Sequence, residues 1–104
     1  MDIAPLQHAA REASQLLRAL ANEDRLLLLC QLSQGERSVG ELETLTGIRQ
    51  PSLSQQLGIL RQEALVQTRR EGKRIHYQIA DETAKAILQL LYQRYCPTPP
   101  GEPR

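Results

Sequence analysis

Apolar residues recur every three or four positions over most of this chain, a spacing that predicts amphipathic helices. The first such stripe covers residues 5–20. A wider apolar run follows Asn22, which can cap a helix, and contains four consecutive leucines, Leu26 to Leu29. Because this run covers more than one face, we expect the second helix, ending near Ser33, to be the most enclosed. The first stripe consists of Leu6, Ala9, Ala10, Ala13, Leu16, Leu17 and Leu20.

Two short helices with a tight joint are predicted next. Ser38 and Glu41 fit a capping box, in which hydroxyl and carboxylate each accept an N–H of the first turn, so a helix should begin at Val39. It would turn Leu42 and Leu45 inward.

The second helix of this pair follows a joint of three or four residues. Gly47 suits the left-handed residue that ends the preceding helix, and Pro51 suits the first position of the next. That helix would bury Leu53, Leu57 and Leu60. Such a close pair is typical of a helix-turn-helix.

Beyond Ala64 the pattern changes to alternation, which indicates strands over residues 65–70 and 74–79, joined at Glu71-Gly72-Lys73. Asp81 can cap a last helix. The order predicts a mainly α fold with a small β-hairpin, a winged helix-turn-helix of plan ααααββα. The apolar stripe of the last helix consists of Ala84, Ile87, Leu88, Leu91 and Tyr95.

The 104 residues suffice for one core, so we expect a single domain over residues 1–96 and a disordered proline-rich tail over residues 97–104. The sequence has no apolar run that could span a bilayer and no secretion signal. These features predict a cytoplasmic protein.

The net charge of +1 conceals an uneven distribution. From Arg49 to Arg74, six positive residues face two negative ones, a local charge of +4. A positive face of this kind suits DNA, although alone it could be a solvated hairpin. The positive residues are Arg49, Arg61, Arg69, Arg70, Lys73 and Arg74, and the negative ones are Glu63 and Glu71.

The polar side of the helix from Pro51 to Gln62 is the predicted reading surface. Gln55 and Gln56 could pair with adenine in a bidentate manner, and the nearby serines could contact bases or phosphates. The basic residues of the hairpin would bind phosphates, with Gly72 at the wing tip. A merely solvated polar face is the alternative. The predicted DNA contacts are Arg49, Gln50, Ser52, Ser54, Gln55, Gln56, Arg69, Arg70, Lys73 and Arg74.

One such reader recognises few base pairs, so we expect a homodimer. The apolar stripes of the first and last helices could pair across a two-fold axis and place two readers on half-sites about 34 Å apart. Three or four phosphates neutralised by each subunit would give a log–log salt slope of roughly −5 to −7. If both stripes are core, this interface disappears.

Four segments resemble the ArsR/SmtB family of bacterial repressors, over residues 10–96: LANEDRL at 20–26, SVGEL at 38–42, QPSLSQQL at 50–57 and RREGK at 69–73. The resemblance implies a homodimeric winged helix, with the terminal helices as the interface, and repression relieved by an inducer. Two metal-binding plans of the family are missing, because residues 38–41 hold no thiol and residues 81–96 hold no histidine. We expect His8 and His76 to be structural or solvated, and no metal or cofactor.

Cys30 and Cys96 resemble the cysteine pair of the sulfide- and persulfide-responsive branch, called BigR, SqrR or YgaV. This resemblance implies a dithiol switch: a low-pKa thiolate attacks a persulfide, and the second thiol resolves the adduct to a disulfide or a longer sulfur bridge. From the residues alone, a cysteine such as Cys30 on an apolar helix face is most often a small core residue, and thiols in a reducing compartment usually stay reduced.

The prediction is therefore a repressor that releases an inverted-repeat operator when persulfide or oxidant links Cys30 and Cys96. One alternative is a repressor that senses a thiophilic metal, or nothing, although two thiols make a poor metal site. A dithiol oxidoreductase would need a Cys-x-x-Cys, whereas 65 residues separate these thiols. An adaptor without DNA would not need the basic reading surface. No enzymatic activity is expected.

Overall fold

A computed structural model describes residues 2–96, and the predicted disordered tail at 97–104 lies outside these residues. The described chain forms five helices and three strands, in an order that confirms the winged helix-turn-helix. The elements are α1 (Ile3–Leu20), α2 (Glu23–Ser33), β1 (Arg37–Ser38), α3 (Val39–Thr46), α4 (Ser52–Gln62), β2 (Val66–Glu71), β3 (Arg74–Ile79) and α5 (Glu82–Tyr95).

Helix α2 lies at the centre, as predicted from its wide apolar surface. It packs against α1, α3, α4, α5 and β3. Leu28 and Leu29 are fully buried, and so are Leu53 and Leu60 on the inner face of α4, while Leu57 there is almost fully buried. The leucine spacing of α4 therefore turns the opposite, polar side of that helix outward.

The predicted helix caps are confirmed. Asn22 accepts the N–H of Arg25, and Ser38 and Glu41 form the capping box at the start of α3. Gly47 adopts the left-handed conformation (φ +76°) that glycine reaches without a steric penalty. Asp81 caps α5 through the N–H groups of its first turn.

The sheet contains one more strand than the predicted two-stranded hairpin. Strands β2 and β3 pair antiparallel across a turn in which Gly72 has φ +61°, and β1 adds to the free edge of β3. At two residues, β1 is too short to produce an alternation that the sequence could reveal. It attaches the sheet to the first residue of α3.

The prediction that Leu45 points inward is wrong, because 51% of its surface is exposed. Leu42 is fully buried, but α3 ends one residue after Leu45, and the chain turns at Gly47. Ile48, directly after this turn, is buried and supplies the side chain that the core needs.

Both terminal helices keep apolar side chains uncovered in the single chain. Helix α1 buries only Ala19 and Leu20 near its end, and α5 buries Ala84 and Leu88. The large exposed side chains on these two helices are Ile3, Leu6, Leu17, Leu90, Tyr92 and Tyr95.

Candidate nucleic-acid interface and thiol pair

Gln50, predicted only as a DNA contact, also holds the start of α4. The Gln50 side-chain carbonyl accepts the N–H of Ser54 at 3.0 Å, one of the N–H groups that a helix start leaves without a partner. Pro51 precedes the first helical residue by one position, not at the first position as predicted. Gln50 thus caps the reading helix, while its side chain stays at the surface.

The polar side of α4 divides into exposed and half-buried residues. Ser54 and Gln55 are exposed, as is Arg49 before the helix, whereas Ser52 and Gln56 are half-buried. The Gln56 side-chain carbonyl accepts a hydrogen bond from Arg25 Nη1 at 2.9 Å. Gln55 is therefore the glutamine whose exposure suits base contact best.

The guanidinium of Arg25, on α2, forms hydrogen bonds with both α1 and α4. Besides Gln56, it donates to the backbone carbonyl of Ala19 from Nε at 2.6 Å and to that of Arg18 from Nη2 at 3.2 Å. No sequence pattern indicates this role, because 31 residues separate Arg25 from Gln56.

In the wing, Arg69 is already engaged by acidic residues. It forms ion pairs with Glu36 at 2.6 Å and with Glu71 at 3.0 Å. Hydrogen bonds from Arg69 hold the pKa of both carboxyls below their usual value, and the same bonds raise the pKa of Arg69. Part of the predicted positive charge is thus offset by Glu36, which comes from outside the Arg49–Arg74 segment.

The other wing cations face solvent. Arg70, Lys73 and Arg74 are exposed and surround the turn at Gly72. Within residues 2–96, none of these three forms an ion pair with a carboxylate. The name reading surface is used for these three cations, Arg49 and the exposed side of α4.

The two histidines lie in different settings. His8 is exposed on α1 and lies 2.8 Å from Glu12. His76 is half-buried in β3, with its Nδ1 4.0 Å from Glu36 and its Nε2 3.9 Å from Glu71. In the described part of the chain, no group of three or more His, Cys, Asp or Glu residues could hold a metal ion.

Both cysteines are half-buried thiols. Cys30 packs against the core from α2, and Cys96 is the C-cap of α5, a helix that lies against α2. Burial raises the pKa of Cys30, and the charge of Cys96 raises it further. The second cause indicates that the two thiols are near enough to interact. The first disfavours the thiolate form of Cys30, because burial penalises a charged sulfur.

A family model described as "Bacterial regulatory protein, arsR family" matches residues 22–68. The biofilm growth-associated repressor of Agrobacterium fabrum is 50% identical over 91 residues, which cover 88% of this chain and 78% of that protein. The chain belongs to the ArsR family of bacterial regulatory proteins. It lies in the BigR/YgaV branch of that family.

Solved structures agree with the fold. Reduced HlyU from Vibrio cholerae superimposes with a TM-score of 0.86 at 40% identity, covering 89% of this chain and 98% of that one. The homodimeric winged helix-turn-helix DNA-binding domain of a Mycobacterium bovis protein gives a TM-score of 0.75 at 34% identity, covering 88% of this chain and 84% of that one.

The family assignment makes this ArsR-family protein a DNA-binding transcriptional regulator and not an enzyme. Within residues 2–96, no helix is both long and apolar enough to cross a lipid bilayer.

Proposed function

We propose that this chain is a homodimeric cytoplasmic repressor that binds an inverted-repeat operator and releases it when a persulfide or oxidant links Cys30 to Cys96. Two observations carry the DNA-binding part: the polar side of α4 is exposed, and so are the cations of the wing. The thiol part rests on the pairing of α2 with α5, which carry one cysteine each.

Dimerisation is supported by the uncovered apolar side chains of the terminal helices. On α1, Leu6 and Leu17 are 53% and 55% exposed, and on α5 Leu90 is 54% exposed. Contiguous apolar surface on a soluble protein marks an interaction site. The homodimeric description of the M. bovis domain favours a second copy of this chain as the partner.

The proposed DNA contacts divide by chemistry. Gln55, Ser52 and Ser54 lie on α4 and would reach base edges, because short hydroxyls and amides fit the major groove. Arg49, Gln50 and the wing cations would bind phosphates, which fix the register of the protein on the duplex. Arg69 joins them only by exchanging its carboxylate partners for phosphate oxygens.

For the switch, we write the first attack with Cys96, because the thiolate is the reacting form and burial disfavours the thiolate of Cys30. The Cys96 thiolate attacks the outer sulfur of a persulfide RSSH and forms Cys96–S–SH, while RS⁻ leaves and takes a proton. The Cys30 thiolate then attacks the inner sulfur and expels hydrosulfide. Two thiols and one RSSH thus yield a disulfide, RSH and hydrogen sulfide, and the persulfide is the oxidant.

A longer bridge needs a second persulfide. Two thiols and two RSSH yield a trisulfide, two RSH and one hydrogen sulfide. Because a plain disulfide requires Cα atoms within about 4.4–6.8 Å and each added S–S bond is about 2 Å long, the extra sulfur lets the thiols link across a wider gap. Either bridge ties α2, which packs on α4, to α5, whose exposed face belongs to the proposed dimer interface.

The test combines mass spectrometry with a gel-shift assay. After treatment with a persulfide donor, or with hydrogen peroxide for comparison, the mass of the Cys30–Cys96 peptide pair reports whether the thiols are linked and by how many sulfurs. The gel-shift assay then measures release of operator DNA. Because Cys30 and Cys96 are the two cysteines of the sequence, the double Cys→Ser variant lacks thiols and is a clean control.

We expect Cys30→Ser, Cys96→Ser and the double variant to bind operator DNA as the unmodified protein does, and to stay bound after treatment. Release of the double variant by the persulfide donor would disprove the thiol mechanism. A lack of preference for any duplex by the untreated protein would disprove the repressor itself.

A further inference from the structure

We propose that Arg25 is a positioning residue that fixes the reading helix to the carboxyl end of α1, and that Gln56 is its anchor on α4 and not a base reader. This inference rests on the proposed function, because it concerns the geometry with which α4 meets DNA.

Arg25 contacts both α1 and α4 from its place on α2. Its guanidinium donates at once to the backbone carbonyls of Arg18 and Ala19 and to the Gln56 side chain. Both backbone carbonyls belong to the last turn of α1, where carbonyls lack a partner within the helix. One half-buried side chain therefore satisfies the end of α1 and reaches α4.

The chemistry of this contact requires arginine. A guanidinium presents five N–H donors in a rigid planar fork, so it can serve three acceptors in different directions. A cation also suits the negative end of a helix dipole, which is where the two carbonyls of α1 lie. Lysine would offer a single nitrogen on a flexible stem and could not reproduce the set.

A second hydrogen bond joins α1 to α4 about two helical turns further along. Gln15 Nε2 donates to Glu63 Oε2 at 2.9 Å, and Glu63 is the C-cap of α4. Gln56 and Glu63 are thus two anchor points near the middle and the end of α4. Gln56 is linked to α1 through Arg25 of α2, and Glu63 is bonded to α1 directly. Two points of attachment define the direction of the helix axis, which one point would leave free to pivot.

The position of Arg25 gives this attachment a functional consequence. Helix α1 carries Leu6 and Leu17, which belong to the proposed dimer interface, so its contact with α4 sets how the two reading helices of a dimer are spaced. The Gln56 carbonyl is occupied by Arg25, although bidentate recognition of adenine would require that oxygen. Base reading on this helix is therefore left to Gln55 and the serines.

The experiment uses duplexes selected from a randomised pool by the unmodified protein. Arg25→Ala, Gln56→Ala, their double variant and Gln56→Glu are compared on two sets of these duplexes: single-base substitutions, and half-site spacings changed by one base pair. Arg11→Ala is the matched control, because it removes the same charge from an exposed site on α1 that has no hydrogen bond or ion pair within residues 2–96.

We expect Arg25→Ala and Gln56→Ala each to lower the preference for the correct spacing by roughly threefold to tenfold, the range for one net hydrogen bond. The double variant should lose no more than the larger single loss, because residues in direct contact are non-additive. Gln56→Glu should keep the base preferences, since a carboxylate still accepts from Arg25. Arg11→Ala should keep the spacing preference.

The inference is overturned if Gln56→Glu changes the preferred base at one operator position, because a carboxylate cannot donate to adenine N7 and the change would reveal base reading. Additive losses, or an unchanged spacing preference in Gln56→Ala, would overturn it as well. Gln56→Ala leaves the bonds from Arg25 to α1 in place, so it provides an answer even if Arg25→Ala fails to fold. If the unmodified protein selects no duplex, the proposed function fails too, whereas the other outcomes concern Arg25 alone.

Discussion

The reading helix and the wing each contain a predicted DNA contact that already has a partner inside the chain, and the two partners differ in kind. On α4, Gln56 is half-buried and bonded to Arg25. In the wing, Arg69 is 47% exposed and paired with Glu36 and Glu71. The helix contact joins two helices of the core, whereas the wing contact lies in solvent.

This difference indicates which of the two internal contacts can be replaced by a contact with DNA. An exposed ion pair contributes little free energy and is screened by salt, so a phosphate can replace a carboxylate beside Arg69 at small cost. The Arg25–Gln56 bond lies between half-buried side chains, and breaking it would leave the Gln56 carbonyl on α4 without its donor. The wing is thus the adjustable part of the reading surface, and α4 is the fixed part.

The largest loss of DNA affinity is expected when the wing cations without a carboxylate partner are removed. Arg70→Ala combined with Arg74→Ala removes two of the proposed phosphate contacts from each subunit of the proposed dimer. DNA affinity should fall by roughly 10²- to 10³-fold near physiological salt, and the log–log salt slope should become shallower by about 3 to 4. Fluorescence anisotropy with labelled operator at several KCl concentrations measures both quantities.

Arg11→Ala combined with Lys85→Ala is the control for this double variant, because it removes equal charge from exposed positions outside the reading surface. An unchanged slope in the wing variant would show that the wing does not touch phosphates, and the contrast with α4 would collapse.

A smaller effect, and one confined to sequence discrimination, is expected for Gln55→Ala on α4. A bidentate contact between a glutamine and adenine is worth about 1–3 kcal/mol of discrimination, which is roughly 5- to 150-fold at one base pair of each half-site. Because Gln55 is exposed, the free energy of unfolding should change by less than about 0.5 kcal/mol.

Competition between the operator and single-base variants of it tests this prediction, and urea denaturation checks the stability. If Gln55→Ala leaves discrimination at every position intact, the exposed side of α4 is not read by this residue, and the fixed helix would serve only to position the protein.

The sequence predicted the parts of the fold that depend on neighbours along the chain. The caps at Asn22, Ser38 and Asp81 follow from side chains that bond two or three residues ahead, and the inner leucines of α4 follow from helical spacing. Helical spacing wrongly predicted that Leu45 is buried, because its exposure depends on where α3 ends and on the turn that follows.

The site was predicted less completely, because its decisive contacts join distant segments. Glu36 and Arg69 are separated by 33 residues, and no periodicity relates an acid before β1 to a base in β2. The same holds for Arg25 and Gln56. The raised pKa of Cys30 depends on how deeply its side chain is buried, and the sequence of α2 does not give that depth.

The smallest change in DNA affinity is expected for Glu36→Gln, and this change is a gain, whereas the other variants lose affinity or discrimination. The hydrogen bond from Arg69 lowers the pKa of Glu36 below its usual 4.5, so the folded protein favours the carboxylate. The stability that this pair contributes is present above the usual pKa and is lost as pH falls through the lowered value. Glutamine keeps an acceptor but removes the charge, and Arg69 can turn to phosphate more easily.

DNA affinity of Glu36→Gln should therefore rise by roughly twofold to fivefold at low salt, the scale of an exposed ion pair. The gain should vanish as pH falls through the lowered pKa of Glu36, because the unmodified protein then loses the same charge. Anisotropy titrations of both proteins between pH 7 and the acid range follow this convergence. A fall in affinity at neutral pH would mean that Glu36 orients Arg69 toward DNA, which would make the wing contact as fixed as that of α4.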